Sequence, residues 1–461
     1  MLLPVREQHC ISQYLCPKVP SCYSAEWASS LWGPGGSKDV EDSQTSGSIA
    51  NTSLLSTNHL EPLREIRTEN MAQPLYPVVF VGAGNITFGN DNVKWNHSLR
   101  VERCLGAALE VVAVVDPSVE RVQQVLEQKK SSAAASCYSH ASHYTTLNEA
   151  AERLKSRGIR PRLIILGAPP QFRGTILPGR NLEQQVIAAF GSEPSIFCEK
   201  PVSTALPHKS LPVVDLLHEA GNKISVGYML RYLQVVQKAK EIIERNNLQV
   251  MSIFARYTCA YSKIRKSDWW DKSKQCGPIV EQGTHFCDLM RYLGGDVELD
   301  TVFAYALEHY EPAGKLSHMA VDESLIPEDK RIPRATSAIW KFTNGAIGSL
   351  THLVALHDIK YSNEIVVTAD GYQLRLTDLY STPALHVRTP VSEEEITTIV
   401  TDDDPFLAEF AALLGLDTTK PLEPAKTNIL SSYEDAYKTY ELTWKIRTAS
   451  EKSSDALKQK R

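Results

Sequence analysis

The rhythm of hydrophobic and polar positions changes twice along this chain. Residues 1–73 show no sustained apolar period and are rich in Ser, Thr, Asn and Gly, notably over 33–37 and 43–56, so little fixed structure is expected there. From Tyr76 onward, short β-rich runs at 78–81, 109–115, 163–166, 195–198 and 223–226 are each followed by a turn signal or a helical pattern. That alternation predicts a parallel, doubly wound sheet with helices on both faces. Beyond about Leu248 the runs lengthen, at 251–259, 301–306, 337–342, 346–354, 364–368 and 373–376, and the helices between them vanish. These predict a large, mostly antiparallel open sheet in an α+β unit. Amphipathic helices over 406–414 and 433–449 close the pattern. Asp402, Asp403 and Asp404 suit the start of the first and Gly415 its end. The fold class expected is α/β, divided into an N-terminal extension (1–73), a doubly wound domain (74–230), a second domain (231–450) and a polar tail (451–461).

Composition narrows the functional classes. A length of 461 residues, 43% of them hydrophobic, is ample for two or three cores and excludes global disorder. A formal charge of −5 gives no general reason to bind nucleic acid, and no run approaches the roughly 18 apolar residues of a membrane helix. Nine cysteines with no C-x-x-C pair suit free thiols in a reducing, cytoplasmic setting. The first twenty residues show neither a secretory apolar run nor an Arg-rich presequence. Met71 stands shortly before the first strand, so the residues before it are read as a disordered tail or as an extension upstream of a start there.

The first strand runs into Gly82-Ala83-Gly84-Asn85-Ile86-Thr87, close to the G-x-G-x-x-G fingerprint of dinucleotide-binding (Rossmann) sheets, with Thr87 in the third glycine's place. Gly82 permits the tight turn, Gly84 lets backbone approach a pyrophosphate, and the helix starting at Asn85 and Ile86 meets its charge. The second strand ends in Asp116, whose carboxylate would bond the adenosine ribose and repel a 2′-phosphate, which favours NAD over NADP. Asp116 stands 32 residues after Gly84, beyond the usual interval of about 20, so an insertion over 90–97 is expected. Asp116 reads equally as a turn former before Pro117, and Arg121 offers a place for a 2′-phosphate.

A later strand ends in Phe197-Cys198-Glu199-Lys200-Pro201. Strand ends of a doubly wound sheet face the ligand crevice, so Lys200 is placed beside a bound nicotinamide, where its ammonium can stabilise charge developing on a substrate oxygen. Glu281, His285 and Asp288, spaced i, i+4 and i+7, form one polar stripe on a helix expected over 280–293, with Phe286, Leu289, Met290 and Leu293 as its apolar face. Imidazole suits removal of a hydroxyl proton, which makes His285 the candidate general acid/base. Taken singly, Lys200 reads as a surface lysine and the trio as a satisfied polar helix face. A metal reading of the trio lacks further matching ligands.

Taken together, GAGNIT, CEKPVS and GPIVEQGTHFCDL resemble the glucose-fructose oxidoreductase, inositol dehydrogenase and rhizopine catabolism family over roughly 77–450. The resemblance implies a Rossmann domain, a C-terminal open-sheet domain, dimers or tetramers, and NAD- or NADP-dependent oxidoreduction of sugars, polyols or related hydroxy compounds. By resemblance the family's catalytic lysine and histidine map onto Lys200 and His285, and the aspartate of H-x-x-D onto Asp288. Glu281 stands where the family often has Asp, as the residue orienting His285 or gripping a neighbouring substrate hydroxyl. Glu199 of E-K-P, with Ala168 and Pro169 of the loop after the third predicted strand, falls on the cofactor side. In that loop Arg173 replaces a frequent His, and in Asp268-Trp269-Trp270-Asp271 Trp270 replaces a frequent Arg. Arg173, Arg231, Trp270 and Asp288 are thus the substrate-binding candidates, with Tyr232 and the 263–266 segment as further ones. Core packing is the competing explanation for the tryptophans.

The function expected is hydride exchange between a nicotinamide and a hydroxyl-bearing carbon of a small metabolite, with no nucleic acid, membrane or metal partner. Three other functions stay open. They are a dinucleotide-binding sensor without turnover, NAD-dependent glycoside hydrolysis through transient oxidation, and a tailoring or imine-reducing step on a specialised metabolite.

Overall fold

A computed structural model describes residues 74–89, 95–357, 360–417, 420–424 and 428–459. The readings made for 1–73 and for 90–94 lie outside these residues.

Six strands build the first sheet: β1 (Tyr76–Val81), β2 (Leu109–Val115), β3 (Ser142–Tyr144), β4 (Leu163–Leu166), β5 (Ser195–Cys198) and β6 (Ile224–Val226). Their order is β3-β2-β1-β4-β5-β6 and every pairing is parallel. Val78, Val79 and Phe80 are completely enclosed, as expected of central strands covered on both faces. The order reverses between β1 and β4, which opens a crevice at their carboxyl ends. Covering helices are α1 (Asn85–Phe88), α2 (His97–Leu105), α3 (Val119–Lys130), α4 (Leu147–Ser156), α5 (Leu182–Phe190) and α6 (Pro207–Ala220). Side-chain caps set several of their starts: Ser118 accepts from Arg121 N–H, and Thr146 from Glu149 N–H.

The second sheet comprises β7 (Val250–Ala260), β8 (Val297–Leu307), β9 (Ala335–Phe342), β10 (Ile347–Leu356), β11 (Ser362–Ala369), β12 (Tyr372–Thr377), β13 (Ala384–Thr389) and β14 (Ser392–Ile399). Its order is β14-β13-β12-β11-β7-β10-β9-β8, antiparallel except where β7 meets β10. One face packs on α7 (Gln234–Arg245) and α10 (Thr284–Gly294), and the short α8 (Ser267–Trp270) and α9 (Lys272–Gln275) follow β7. The other face is open and carries exposed Phe254, Ile339 and Phe303. Register aligns these three in one row through Ser349.

α11 (Pro405–Leu414) and α12 (Tyr433–Lys458) follow the second sheet in sequence but return to the first. Phe410 and Leu413 pack with Val101 and Leu105 of α2. In α12, Tyr433, Ala436, Tyr437 and Tyr440 join the first sheet's core, while Leu442 and Ile446 join the second's. The packing therefore does not divide at residue 230.

Three further differences from the sequence expectation have physical causes. β3 is too short, and β14, written SEEEITTI with few enclosed positions, too polar to show an apolar alternation. α12 continues past 449 to Lys458 instead of giving way to a tail, because Ser450 and Ser454 pack inward and Ser454 Oγ bonds Glu308 Oε1 at 2.7 Å. The helix expected from Val280 opens instead as a π-helical turn, Ile279–Gly283, before α10 begins.

Candidate active site

At the end of β1, Gly82 adopts φ +100°, and a Cβ there would lie 2.7 Å from the Ala168 nitrogen. Only glycine lets the turns after β1 and β4 touch. Gly84 differs, since a Cβ on it would meet nothing within 4 Å. No side chain caps α1, so its first backbone N–H groups, including that of Ile86, are left by the fold without an intrahelical partner. This open cradle above uncapped donors fits a pyrophosphate. Thr87 occupies the third glycine's place because Gly167, at the end of β4, gives way: a Cβ on Gly167 would come within 2.1 Å of Thr87 Oγ1.

The surroundings of the turn favour the second of the two readings of Asp116, the turn former. Its Oδ2 accepts Ala83 N–H at 2.8 Å and its Oδ1 accepts Ser118 N–H at 2.9 Å, so the carboxylate is engaged in holding the turn. Arg121 lies on the same turn, with Nε on Ala83 O at 2.9 Å and Nη2 on Asn85 Oδ1 at 3.1 Å. The charge argument for NAD over NADP loses its basis, because a guanidinium now accompanies the carboxylate.

The end of β5 and the start of α10 meet at Lys200. Its Nζ donates to the main-chain oxygen of Glu281 at 2.9 Å and lies 3.6 Å from Glu281 Oε1, while Trp269 Nε1 donates to Glu281 Oε2 at 3.1 Å. The Lys200-Pro201 peptide is cis. His285 is enclosed, with Tyr228 and Tyr380 edge-on to its ring at 5.9 and 6.2 Å. Burial, assisted by the Lys200 ammonium, pushes the His285 imidazole well below its usual range, so it is neutral near pH 7. Its Nδ1 is buried without a hydrogen-bond partner. The structure thus brings Lys200, Glu281 and His285 together, with Glu281 carried by the π turn.

Glu199, expected on the cofactor, faces inward. Its Oε1 is 2.6 Å from His97 Nε2 and its Oε2 accepts the Lys200 N–H at 3.0 Å. Burial opposes ionisation there, yet the His97 bond and the Lys200 charge hold Glu199 below the usual carboxylate range. Ala168 borders the turn at Gly82, and its carbonyl accepts from Arg173 Nε at 3.0 Å, with Pro169 next in the same loop.

The four substrate-binding candidates are engaged elsewhere. Arg173 is fully buried and staples its loop, with Nη1 on Val202 O at 3.0 Å. Arg231 holds Asp288 in a bidentate pair, Nε to Oδ2 at 2.7 Å and Nη2 to Oδ1 at 2.6 Å, and also reaches Asp435 of α12 at 2.6 Å. Asp288 receives Thr439 Oγ1 at 3.1 Å, so the two candidates form a buried tie to α12 and do not line a cleft. Trp270 is fully enclosed, donating to Ile264 O at 3.0 Å. Its neighbour Trp269 is the indole that reaches the site.

Sequence reasoning missed the phenols. Tyr380, after β12, and Tyr361, before β11, both lie within the field of Glu281, and burial drives both hydroxyls above their usual range. Tyr228 stands two residues past β6, a strand-end position that was readable; nothing local marks Tyr361 or Tyr380. Among the described residues no three His, Cys, Asp or Glu side chains are placed to hold a metal, and no helix is long and apolar enough to cross a membrane.

The model described as "Oxidoreductase family, NAD-binding Rossmann fold" matches residues 76–228, and an oxidoreductase C-terminal domain model matches 231–372. Two Schizosaccharomyces pombe relatives align over most of their length. Uncharacterized protein UNK4.17 is 43% identical, covering 82% of this chain and 92% of its own, and Uncharacterized protein C12C2.04 is 38% identical, covering 82% and 98%. Among solved structures, the 3-ketoreductase KijD10 from Actinomadura kijaniata, in complex with NADP and TDP-benzene, superposes with a TM-score of 0.56 at 14% identity, covering 81% of this chain and 98% of that one. UDP-N-acetylglucosamine 3-dehydrogenase GnnA from Acidithiobacillus ferrooxidans gives 0.57 at 13% identity, covering 82% and 98%. At these identities the two structures bear on the fold alone. With its parallel sheet, glycine turn, strand-end lysine and facing histidine, the chain belongs to the glucose-fructose oxidoreductase, inositol dehydrogenase and rhizopine catabolism family of NAD(P)-binding oxidoreductases.

Proposed function

We propose that the protein exchanges hydride between NAD or NADP and a hydroxyl-bearing carbon of a sugar, polyol or related small metabolite. The observation that carries this reading is the meeting of Lys200, from the crevice end of β5, with Glu281 and His285, from the helix beneath the second sheet.

When bound, the nicotinamide ring supplies the hydride acceptor in oxidation and the donor in reduction. In oxidation the carbinol C–H bond breaks with its electron pair leaving as hydride, the O–H proton goes to His285, and the carbon–oxygen bond becomes a carbonyl. Lys200 donates to that oxygen and stabilises the negative charge it gains in the transition state. His285 is neutral and therefore able to accept the proton, through Nε2 because Nδ1 is enclosed. Glu281, fixed by Trp269, holds the lysine on target. Gly82, Gly84, Asn85, Ile86, Ala168 and Pro169 would cradle the cofactor, while Glu199 acts behind Lys200 as a positioning residue.

Lys200→Ala or His285→Ala should lower kcat by about 100-fold or more while leaving NADH affinity largely intact, as measured by steady-state turnover and fluorescence titration. Parental turnover in both variants contradicts the assignment. Arg121 gives NADPH a place on the turn, so NADPH should bind at least as tightly as NADH. Arg121→Ala should weaken NADPH selectively, and an equal loss for both cofactors would remove Arg121 as the discriminator.

The open face of the second sheet, with Phe254, Ile339 and Phe303 exposed, fits a second copy of this chain. The unpaired thiols of Cys104, Cys137, Cys198, Cys259, Cys276 and Cys287 support a reducing, cytoplasmic location.

A further inference from the structure

Behind Lys200 lies a buried pair that hydride transfer does not use directly. His97, the first residue of α2, is fully enclosed, and its Nε2 stands 2.6 Å from Glu199 Oε1. Glu199 is held below the usual carboxylate range, so it is ionised near pH 7 and has no proton to give. Nε2 of His97 therefore donates. The other oxygen of Glu199, Oε2, accepts the main-chain N–H of Lys200 at 3.0 Å. His97 Nδ1 is buried with no partner among the described residues, so Glu199 takes the one hydrogen bond of the ring. Arg173 and Glu409, whose fields also reach Glu199, bond elsewhere, Arg173 to Val202 O at 3.0 Å and Glu409 with Ser225 Oγ at 3.2 Å.

The ring is aimed from several sides. Asn96 caps α2, its Oδ1 accepting Leu99 N–H at 3.0 Å while its Nδ2 donates to Phe88 O at 3.0 Å. Phe197 of β5 and Phe410 and Phe406 of α11 surround the imidazole, with centroids 4.7, 5.5 and 6.1 Å away. A carboxylate beside phenyl rings carries a desolvation cost that its bond to His97 only offsets, so the pair adds little stability over apolar residues of the same shape. What it does fix is Lys200. That lysine is held at both ends, its main-chain N–H by Glu199 and its Nζ by the Glu281 main-chain oxygen at 2.9 Å. A shift at the main-chain end moves the ammonium, and a misplacement of about 1 Å can cost about 100-fold in rate.

We propose that His97 is a positioning residue for the reaction: its hold on Glu199 fixes the main chain of Lys200 and, with it, the place of the ammonium at the reacting oxygen. This rests on the oxidoreductase reading of the same site. Enclosed as it is, His97 meets neither substrate nor cofactor. Its loss therefore acts on kcat and leaves KM and cofactor affinity nearly unchanged.

The test uses the full chain with NADH or NADPH and a panel of hydroxy compounds and ketones. His97→Leu removes the donor at similar volume, and His97→Gln returns an amide N–H of about the same reach. His97→Leu should lower kcat by about tenfold or more with KM and cofactor affinity close to the parent, and His97→Gln should restore most of the rate. In a Glu199→Gln background His97→Leu should add little, because the two residues act in series. Val101→Ala, equally buried on the same helix, should lower the denaturation midpoint without lowering kcat, which is how a histidine that only filled the wall would behave. A second readout needs no turnover: acetylation of Lys200 by acetic anhydride, followed by mass spectrometry against exposed Lys263. In His97→Leu the Lys200 rate should rise severalfold, with Lys263 unchanged and His97→Gln close to the parent. Parental kcat in His97→Leu, a loss that His97→Gln does not restore, or a Lys200 acetylation rate equal in all three proteins overturns the proposal. Acetylation that responds to His97 in a protein that turns over nothing would uphold the tie to Lys200 and count against hydride transfer. Turnover that ignores His97 would do the reverse. If His97→Leu does not fold, His97→Asn, whose amide is one methylene shorter than that of Gln, takes its place with the same outcomes.

Discussion

Gly82 and Gly84 stand two residues apart in one turn and answer to different constraints. Gly82 has a left-handed φ and no room for a Cβ, whereas Gly84 faces open space. Gly82→Ala should therefore cost about 1–3 kcal/mol of stability, seen as a lower midpoint in denaturant. Gly84→Ala should leave that midpoint nearly unchanged and weaken cofactor binding. The reverse pattern would mean that the turn is structural and holds no ligand. That Lys200, Glu281 and His285 come together was legible because strand-end position and helical spacing are local properties. The roles given to Arg231 and Asp288 were not, because their partners are remote: Arg231 finds Asp288 57 residues away, and Asp288 finds Thr439 151 residues away. No local pattern reveals that two polar side chains will satisfy one another instead of a substrate. Asp116 stayed open between two readings for a nearby reason, since its spacing marks a strand end but not the backbone N–H groups its carboxylate accepts from.

Among the elements, α10 does most to join the two sheets. The π-helical turn leading into it carries Glu281 to Lys200, its body sets His285 into the site, and Asp288 and Arg291 tie it to α12 through Thr439 and Asp435. Asp288→Ala leaves Arg231 facing Asp435 without its bidentate partner, and should cost about 3–5 kcal/mol in chemical denaturation. A loss below 1 kcal/mol would mean that Asp288 is dispensable to the fold. The same helix sets an acid limit. His352 of β10, buried against Gln282 at 3.2 Å, is depressed by burial from 6.5 to about 3, and His285 shifts in the same direction. Between those values the unfolded chain binds more protons than the folded one, so stability is fully present above pH 6.5 and falls as pH drops towards about 3. The thermal midpoint should decline over that window, and less steeply in His352→Gln, whose amide stays neutral. An identical pH profile in parent and variant would assign the decline to other groups. β14 and the last turns of α12 stayed hidden in the sequence because polar side chains make their contacts, and apolar periodicity reports only apolar burial.

Over the full chain, the crevice at the β1/β4 reversal and the open face of the second sheet lie on different elements, so assembly and chemistry can be tested apart. Phe303→Asp places a charge in the exposed row of Phe254, Ile339 and Phe303. With the pairing proposed for this face, it should lower the mass seen by light scattering to that of a monomer, while an unchanged mass would exclude this face as the interface. The fold class was legible at this level because two regimes of periodicity, alternating and then continuous, divide the chain near residue 248. The return of α11 and α12 to the first sheet was not, because amphipathic helices show which face they bury but not against what. The most direct test of the central claim is turnover of a panel of hydroxy compounds and ketones by the full chain, read at the nicotinamide absorbance beside Lys200→Ala and His285→Ala. The account predicts oxidation or reduction of at least one compound by the parent, with both variants still binding cofactor but losing turnover. Tight cofactor binding with no turnover across the panel, or turnover equal in all three proteins, would contradict it.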